Sequence, residues 1–434
     1  MKLNVAEKDD IPLILIVSIL IHLGFNGMLL QLLGERPGTT EYRAIAENLV
    51  RGNGFVMEAG GPPMLWRPPL YIFLLAGIYP LFGVRYVPVL FVQILLNSLT
   101  CCLAYILSKD IFDRQVGLLT AFLLALHPLF LYNSARVMTE VLFTFLLVVS
   151  TLSILWFAKT LQGRYAILCG IFVGLTTLCR SSWQYFPLFL VPVLGLLHKK
   201  RHGAALVLKK SWIVVAGMVL MVAPWTIRNY VASGGEFIFV TTDAGYALWV
   251  GNHLPTRGLD DDALSEEGLQ TLRRDMAAVL SVDPDPKMLE KIFEISWESK
   301  KNSDRLVREA LREMWAHPFQ TGALWIKKIF HFWFFYMGQR AEMVQIPILL
   351  IQAGVLVPAL IGLYFSWTQP RRPFLLVPIA VVGYHLLLHV VTLANVRYST
   401  PLLPYVTMLA SYGIQGLRRW GRVKDLPHPI FQNL

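Results

Sequence analysis

Apolar runs of about twenty residues recur along this 434-residue chain, and a helix of that length crosses the hydrocarbon core of a bilayer. They lie near 11–33, 86–107, 116–133, 141–158, 165–180, 184–198, 211–225, 344–367, 374–393 and 399–417. The chain is 55% hydrophobic and only 15% charged, more apolar than a soluble domain can hide. The pattern predicts an all-α polytopic membrane protein with about ten transmembrane helices. One further apolar stretch, 69–83, is short and bounded by prolines, and reads as an interfacial helix. The first run follows Glu7-Lys8-Asp9-Asp10 and is longer than the apolar core of a cleaved leader, so it reads as the first span.

The net charge of +11 does not form a nucleic-acid footprint, because the cations gather in short loops beside the spans. Lys199-Lys200-Arg201, Lys209-Lys210, Arg371-Arg372, Arg418-Arg419 and Arg422 fall on one side, together with Lys109, Arg114, Lys159 and Arg164. By the positive-inside rule that side is cytoplasmic, as are both termini. The expected location is a bacterial inner membrane, with the active face periplasmic. The expected organisation has three parts. Residues 1–225 hold seven spans, a first outer loop (34–68) and the interfacial helix. Residues 226–343 form a large periplasmic loop, and residues 344–434 hold the last three spans and a cytoplasmic tail. Within the large loop, 264–316 carries helical patterning, with Leu306, Ala310, Leu311, Met314 and Trp315 at helical spacing. His317-Pro318 breaks it, and an aromatic amphipathic stretch, 319–336, follows with Lys327-Lys328. Asp260-Asp261-Asp262 reads as a solvated acidic triad. Cys101, Cys102, Cys169 and Cys179 have neither metal spacing nor a place in the large loop.

Against this topology, arginines recur on the outer face in polar-aromatic clusters. These are Trp66-Arg67-Pro68-Pro69-Leu70-Tyr71, Ser134-Ala135-Arg136, Cys179-Arg180-Ser181-Ser182-Trp183, Pro224-Trp225-Thr226-Ile227-Arg228-Asn229-Tyr230, Gln339-Arg340 and Asn395-Val396-Arg397-Tyr398. Guanidinium suits bidentate contact with phosphate oxygens, and Arg397 is the leading candidate for a phosphate clamp. Arg67 and Arg228 equally suit snorkelling anchors at span ends. Glu41 follows the first span at the start of a helix, where it serves either that helix's N-terminus or a substrate as general base. Glu140 opens an otherwise uncharged span and is either functional or paired with Arg136 one turn away. His385 and His389, one turn apart, read as buried hydrogen-bonded histidines rather than metal ligands. No nucleotide-cradling glycine loop is present, which points any donor toward the membrane.

In this order the clusters resemble the bacterial GT-C glycosyltransferases of the protein-O-mannosyltransferase-like and aminoarabinose-transferase-like type. The resembling pieces are Glu41-Tyr42 with Ala46-Glu47-Asn48-Leu49 and Gly52-Asn53-Gly54-Phe55, then Arg67 to Tyr71, and His127-Pro128 with Thr139-Glu140-Val141. Leu178-Cys179-Arg180, Pro224 to Tyr230, Gly245 with Gly251-Asn252, and Arg397-Tyr398 with Pro401 and Pro404 complete them. The resemblance implies a GT-C fold with outward amphipathic helices and inverting transfer of a sugar from a polyprenyl-phosphate-linked donor. The acceptor would be a glycan, a lipid or a protein. It implies Glu41 as base, with Glu140 a second carboxylate. The substrate-binding set would be Arg67, Tyr71, Arg136, Arg180, Arg228, Asn229, Asn252, Lys327, Arg397 and Tyr398. Such proteins carry an Asp shortly before the Tyr, where this chain has Gly38-Thr39-Thr40, so Glu41, Glu35 or Glu47 would have to stand in. No cofactor or metal is expected, since the arginines already supply positive charge for a phosphate. A lipid-linked-sugar transporter or flippase, and a lipid-linked oligosaccharide polymerase or ligase, are the competing readings.

Overall fold

A computed structural model describes residues 9–34, 40–198, 204–259, 264–335, 341–367 and 373–424. Glu35, Lys199-Lys200-Arg201, the 260–262 triad, Arg340 and Arg371-Arg372 lie outside the described residues, as does the Arg422 side chain. The helices in the first half are α1 (Asp10–Leu33), α2 (Thr40–Val50), α3 (Pro69–Phe82), α4 (Tyr86–Ile111), α5 (Arg114–Ala125), α6 (Pro128–Ser134), α7 (Glu140–Thr160), α8 (Gly163–Cys179), α9 (Phe186–His198) and α10 (Ala204–Ala232). The second half adds α11 (Ala244–Asn252), α12 (Glu266–Leu280), α13 (Pro286–Glu290), α14 (Ile292–Glu298), α15 (Lys300–Ala316), α16 (Pro318–Phe334), α17 (Ala341–Trp367), α18 (Leu376–Val391), α19 (Val396–Ser399) and α20 (Leu403–Lys424).

Every apolar run coincides with a helix or a helix pair, and the protein is a multi-pass membrane protein. Among the described residues six helices are long and apolar enough to cross a membrane, or seven if α5 and α6 form one broken span bent by 58°. The break falls at His127-Pro128: proline has no N–H to continue the helix and disfavours helical geometry in the residue before it. Helices α8 and α9, with 17 and 13 residues, are shorter than a full span. Helix α3 is short as expected, and it packs one face, with Tyr71, Ile72 and Leu75, against the bundle while Phe73, Leu81 and Phe82 stay exposed.

Small residues set the closest helix contacts, as expected where lipid offers no competing hydrophobic drive. Helices α8 and α10 meet at Gly170 and Gly217, and a Cβ on Gly170 would lie 2.6 Å from the Val214 carbonyl oxygen. Helices α17 and α20 meet at Gly362 and Gly413 in the same way. The long connection after α10 builds its own small core from Tyr246, Trp249, Leu272, Met276, Ile292 and Leu306. In α15 the inward face is Leu306 and Ala310, whereas Leu311 and Trp315 are exposed. That connection stands at the end of the bundle where the first loop and the starts of α7 and α19 also lie, and this convergence makes the site.

Candidate functional site

Glu140 is the centre of the arrangement. It is the first residue of α7, is 1% exposed, and lies 2.6 Å from Arg397 Nε and 3.9 Å from an Arg180 Nη atom. The expected alternative partner, Arg136, acts on it only at longer range and has its guanidinium over the Tyr132 ring. Arg180 ends α8 and Arg397 lies in α19, so three elements distant in sequence deliver one carboxylate and two guanidiniums to one point. Arg180 rests between the rings of Phe143 (5.4 Å) and Tyr398 (5.2 Å), and Tyr398 stacks on His389 with centroids 4.4 Å apart. Among the described residues the buried Nη1 of Arg180 has no hydrogen-bond partner. Two guanidiniums thus face one buried carboxylate among the described residues, and the unpartnered Arg180 N–H suits an anionic ligand.

The histidines of α18 back this cluster. His385 Nε2 meets the Tyr398 carbonyl at 3.0 Å, and His389 Nδ1 meets the Leu393 carbonyl at 3.0 Å. They fix the loop that carries Arg397. Among the described residues no group of three or more His, Cys, Asp or Glu side chains is placed to hold a metal ion.

A second group lies beside the first. Arg67 donates from Nε to Glu41 Oε2 at 2.7 Å and also contacts it through Nη2. The same guanidinium sits over Tyr42 (5.4 Å) and Trp297 (5.9 Å), so the first loop meets α14 through Arg67. Its charge also acts on Asp243, the residue before α11. Asp243 Oδ1 accepts from Thr241 Oγ1 and, at 3.2 Å, from Ser181 Oγ. Ser181 directly follows Arg180, so the two groups form one line from Glu41 to Arg397.

The remaining expected residues divide plainly. Tyr71 is fully buried and donates to Gln93 Oε1 at 2.9 Å, while Gln93 Nε2 donates to the Ser134 and Arg136 carbonyls at 3.0 Å each. It thereby shapes the loop before Glu140. Arg228 donates to the carbonyls of Met64 (2.7 Å) and Phe55 (3.2 Å) and lies over Trp225, pinning the first loop to α10. Asn229 donates to the Val240 carbonyl at 2.9 Å. Asn252 donates to the Val391 carbonyl and accepts from Trp325 Nε1, both at 2.8 Å, tying α11 to α18 and α16. Gly251 beside it touches Thr392 so closely that a Cβ would overlap the Thr392 carbonyl. Lys327 is exposed. Its neighbour Lys328 is buried, donates to the Thr392 carbonyl at 2.6 Å, and has its amine pushed down to about 7 by burial.

Two members of the site carried no sequence signal. Asp243 stands in an ordinary Thr-Thr-Asp-Ala stretch, and Trp297 is one aromatic among many. Only the folded connection brings them against Arg67.

Residues 66–227 match the family described as dolichyl-phosphate-mannose-protein mannosyltransferase. That segment holds Arg67, Tyr71, Arg136, Glu140 and Arg180. An uncharacterized protein of Aquifex aeolicus is 27% identical over 144 residues, which is 32% of this chain and 28% of that protein. Among solved structures, the archaeal oligosaccharyltransferase AglB from Archaeoglobus fulgidus, in complex with an inhibitory peptide and a dolichol-phosphate, is similar with TM-score 0.57 and 15% identity. The match covers 98% of this chain and 53% of AglB, so the chain spans about half the length of that protein. ArnT from Cupriavidus metallidurans bound to undecaprenyl phosphate gives TM-score 0.43 and 12% identity over 96% of this chain and 81% of that one. The chain is therefore a multi-pass membrane protein of the GT-C glycosyltransferase fold, with its mannosyltransferase family match confined to residues 66–227.

Proposed function

We propose that this protein is a membrane glycosyltransferase that moves a sugar from a polyprenyl-phosphate-linked donor to an acceptor at the outer face of the membrane. The observation that carries the reading is the Glu140 cluster, in which two guanidiniums face one buried carboxylate and Arg180 keeps an unpartnered N–H. A donor phosphate supplies an acceptor for that N–H. Arg180 and Arg397 hold it, and Tyr398 keeps both guanidiniums in place. The matched family is described by a dolichyl-phosphate sugar donor, which is the same ligand chemistry.

During transfer, negative charge builds on the phosphate oxygen as the bond to the sugar breaks. Guanidiniums already oriented in a half-buried site stabilise that charge without reorganising. The acceptor's hydroxyl proton passes to a carboxylate of the Glu41–Arg67–Asp243 group, while Glu140 keeps the clamp arginines aligned and orients the acceptor. Placing both groups on the loop-bearing end of the bundle agrees with cations in the opposite loops marking the cytoplasmic side.

The test is sugar transfer by purified protein in lipid, using a panel of undecaprenyl-phosphate sugars and envelope glycans, lipids and proteins as acceptors. Release of undecaprenyl phosphate that is lost in Arg397→Ala and in Glu140→Gln is the expected result. Binding of the lipid-linked sugar without release, accompanied by its movement between leaflets, would replace transfer with transport.

A further inference from the structure

Two carboxylates flank Arg67, and their surroundings differ. Glu41 Oε2 takes both guanidinium contacts, so its carboxylate is engaged in holding Arg67. Among the described residues Asp243 instead accepts from the Thr241 and Ser181 hydroxyls, both on Oδ1, and from its own backbone N–H. The charged and titratable groups facing it are Arg67 and Tyr185. Burial raises its carboxyl above the ordinary aspartate value even with Arg67 nearby. A carboxylate held at Oδ1 by two hydroxyls and raised in basicity by burial suits proton abstraction. Asp243 is also joined through Ser181 to the backbone that carries Arg180, so its carboxylate is fixed relative to the phosphate clamp.

We propose that Asp243, from the connection after α10, is the catalytic base that takes the acceptor's hydroxyl proton, and that Glu41 is a positioning residue acting through Arg67. The proposal rests on the transferase reading above. In the step, the proton leaves the acceptor oxygen for Asp243 Oδ2 and that oxygen bonds to the anomeric carbon. The bond from that carbon to the phosphate oxygen breaks, and its electron pair stays on the phosphate held by Arg180 and Arg397. The acceptor's proton thus ends on Asp243, and the electron pair of the broken bond ends on the released phosphate.

The experiment measures undecaprenyl phosphate release against pH for the wild type, Asp243→Asn, Glu41→Gln and Ser181→Ala. Undecaprenyl phosphate binding is measured in parallel. Asp243→Asn keeps an acceptor for both hydroxyls, so binding stays near wild type while kcat falls about 10²–10⁴-fold and the acid limb of kcat/KM disappears. Glu41→Gln lowers the rate but keeps the acid limb. Ser181→Ala removes a hydrogen bond to the ionised form, so the acid limb moves to higher pH, a shift that a structural role for Asp243 does not produce. Wild-type kcat in Asp243→Asn, or an acid limb that vanishes in Glu41→Gln and is unmoved in Ser181→Ala, overturns the assignment while leaving transfer intact. Absence of release from every donor by the wild type removes the transferase reading and the base with it.

Discussion

Replacing Glu140 by glutamine keeps the shape of the side chain and removes the one negative charge that both Arg397 and Arg180 face in this cluster. At an effective dielectric of about 20, the attractions at 2.6 and 3.9 Å amount to about 6 and about 4 kcal/mol. Desolvation of the three ionised groups, at several kcal/mol each, offsets most of that gain when the cluster forms. Removing one partner does not return that penalty, because the two cations remain half-buried. The net loss is therefore about 3–5 kcal/mol, the usual cost of breaking a buried pair from one side. For a chain of this size that lowers the unfolding midpoint by roughly 5 °C. Undecaprenyl phosphate, bound by the same guanidiniums, then supplies the missing charge. Its stabilisation of the variant should exceed its stabilisation of the wild type, where the phosphate shares the cations with Glu140. The assay is thermal unfolding in detergent with and without the lipid phosphate. A variant as stable as the wild type, or one that gains no more from the ligand, would refute the charge argument and the phosphate assignment built on it.

Other outcomes follow from the remaining contacts. Arg228→Ala leaves the Met64 and Phe55 carbonyls without a charged donor and should cost about 1–3 kcal/mol of stability, read in the same unfolding assay, with undecaprenyl phosphate affinity unchanged. Gly251→Ala drives a methyl group into the Thr392 carbonyl and should destabilise by about 1–3 kcal/mol or prevent accumulation of folded protein. Lys328 is protonated up to about pH 10.4 in the unfolded chain but only below about 7 when folded. The unfolded state thus binds the extra proton between those values, so stability rises with pH across that window and is lowest beneath it. Lys328→Met should flatten that slope in unfolding measured from pH 6 to 10.

How much of this was legible in the sequence depends on the range of the contacts involved. Hydropathy is local, so every apolar run became a helix or a broken helix, and His317-Pro318 divided α15 from α16 as its chemistry requires. The arginine clusters also announced themselves, because guanidinium beside aromatic residues at a span end is unusual. What stayed hidden was which arginines share a partner. Arg228 and Arg397 have similar surroundings in the sequence, yet one is held by backbone carbonyls 164 and 173 residues away and the other faces Glu140.

Long-range contacts likewise set the roles of Gly251-Asn252 and Asp243. The resemblance puts Asn252 in a substrate-binding set, and in the fold Gly251 lets α11 approach the end of α18 while Asn252 ties three helices together. Asp243 carries no motif because the features that set it apart come from elsewhere: Ser181 from the end of α8, Arg67 from the first loop, and burial from the packed connection. A proton acceptor in such a site is specified by its environment rather than by its neighbours in the chain. That is why a carboxylate in the first loop stands out in the sequence, whereas the base proposed above, on the other side of the Arg67 guanidinium that Glu41 pairs with, does not.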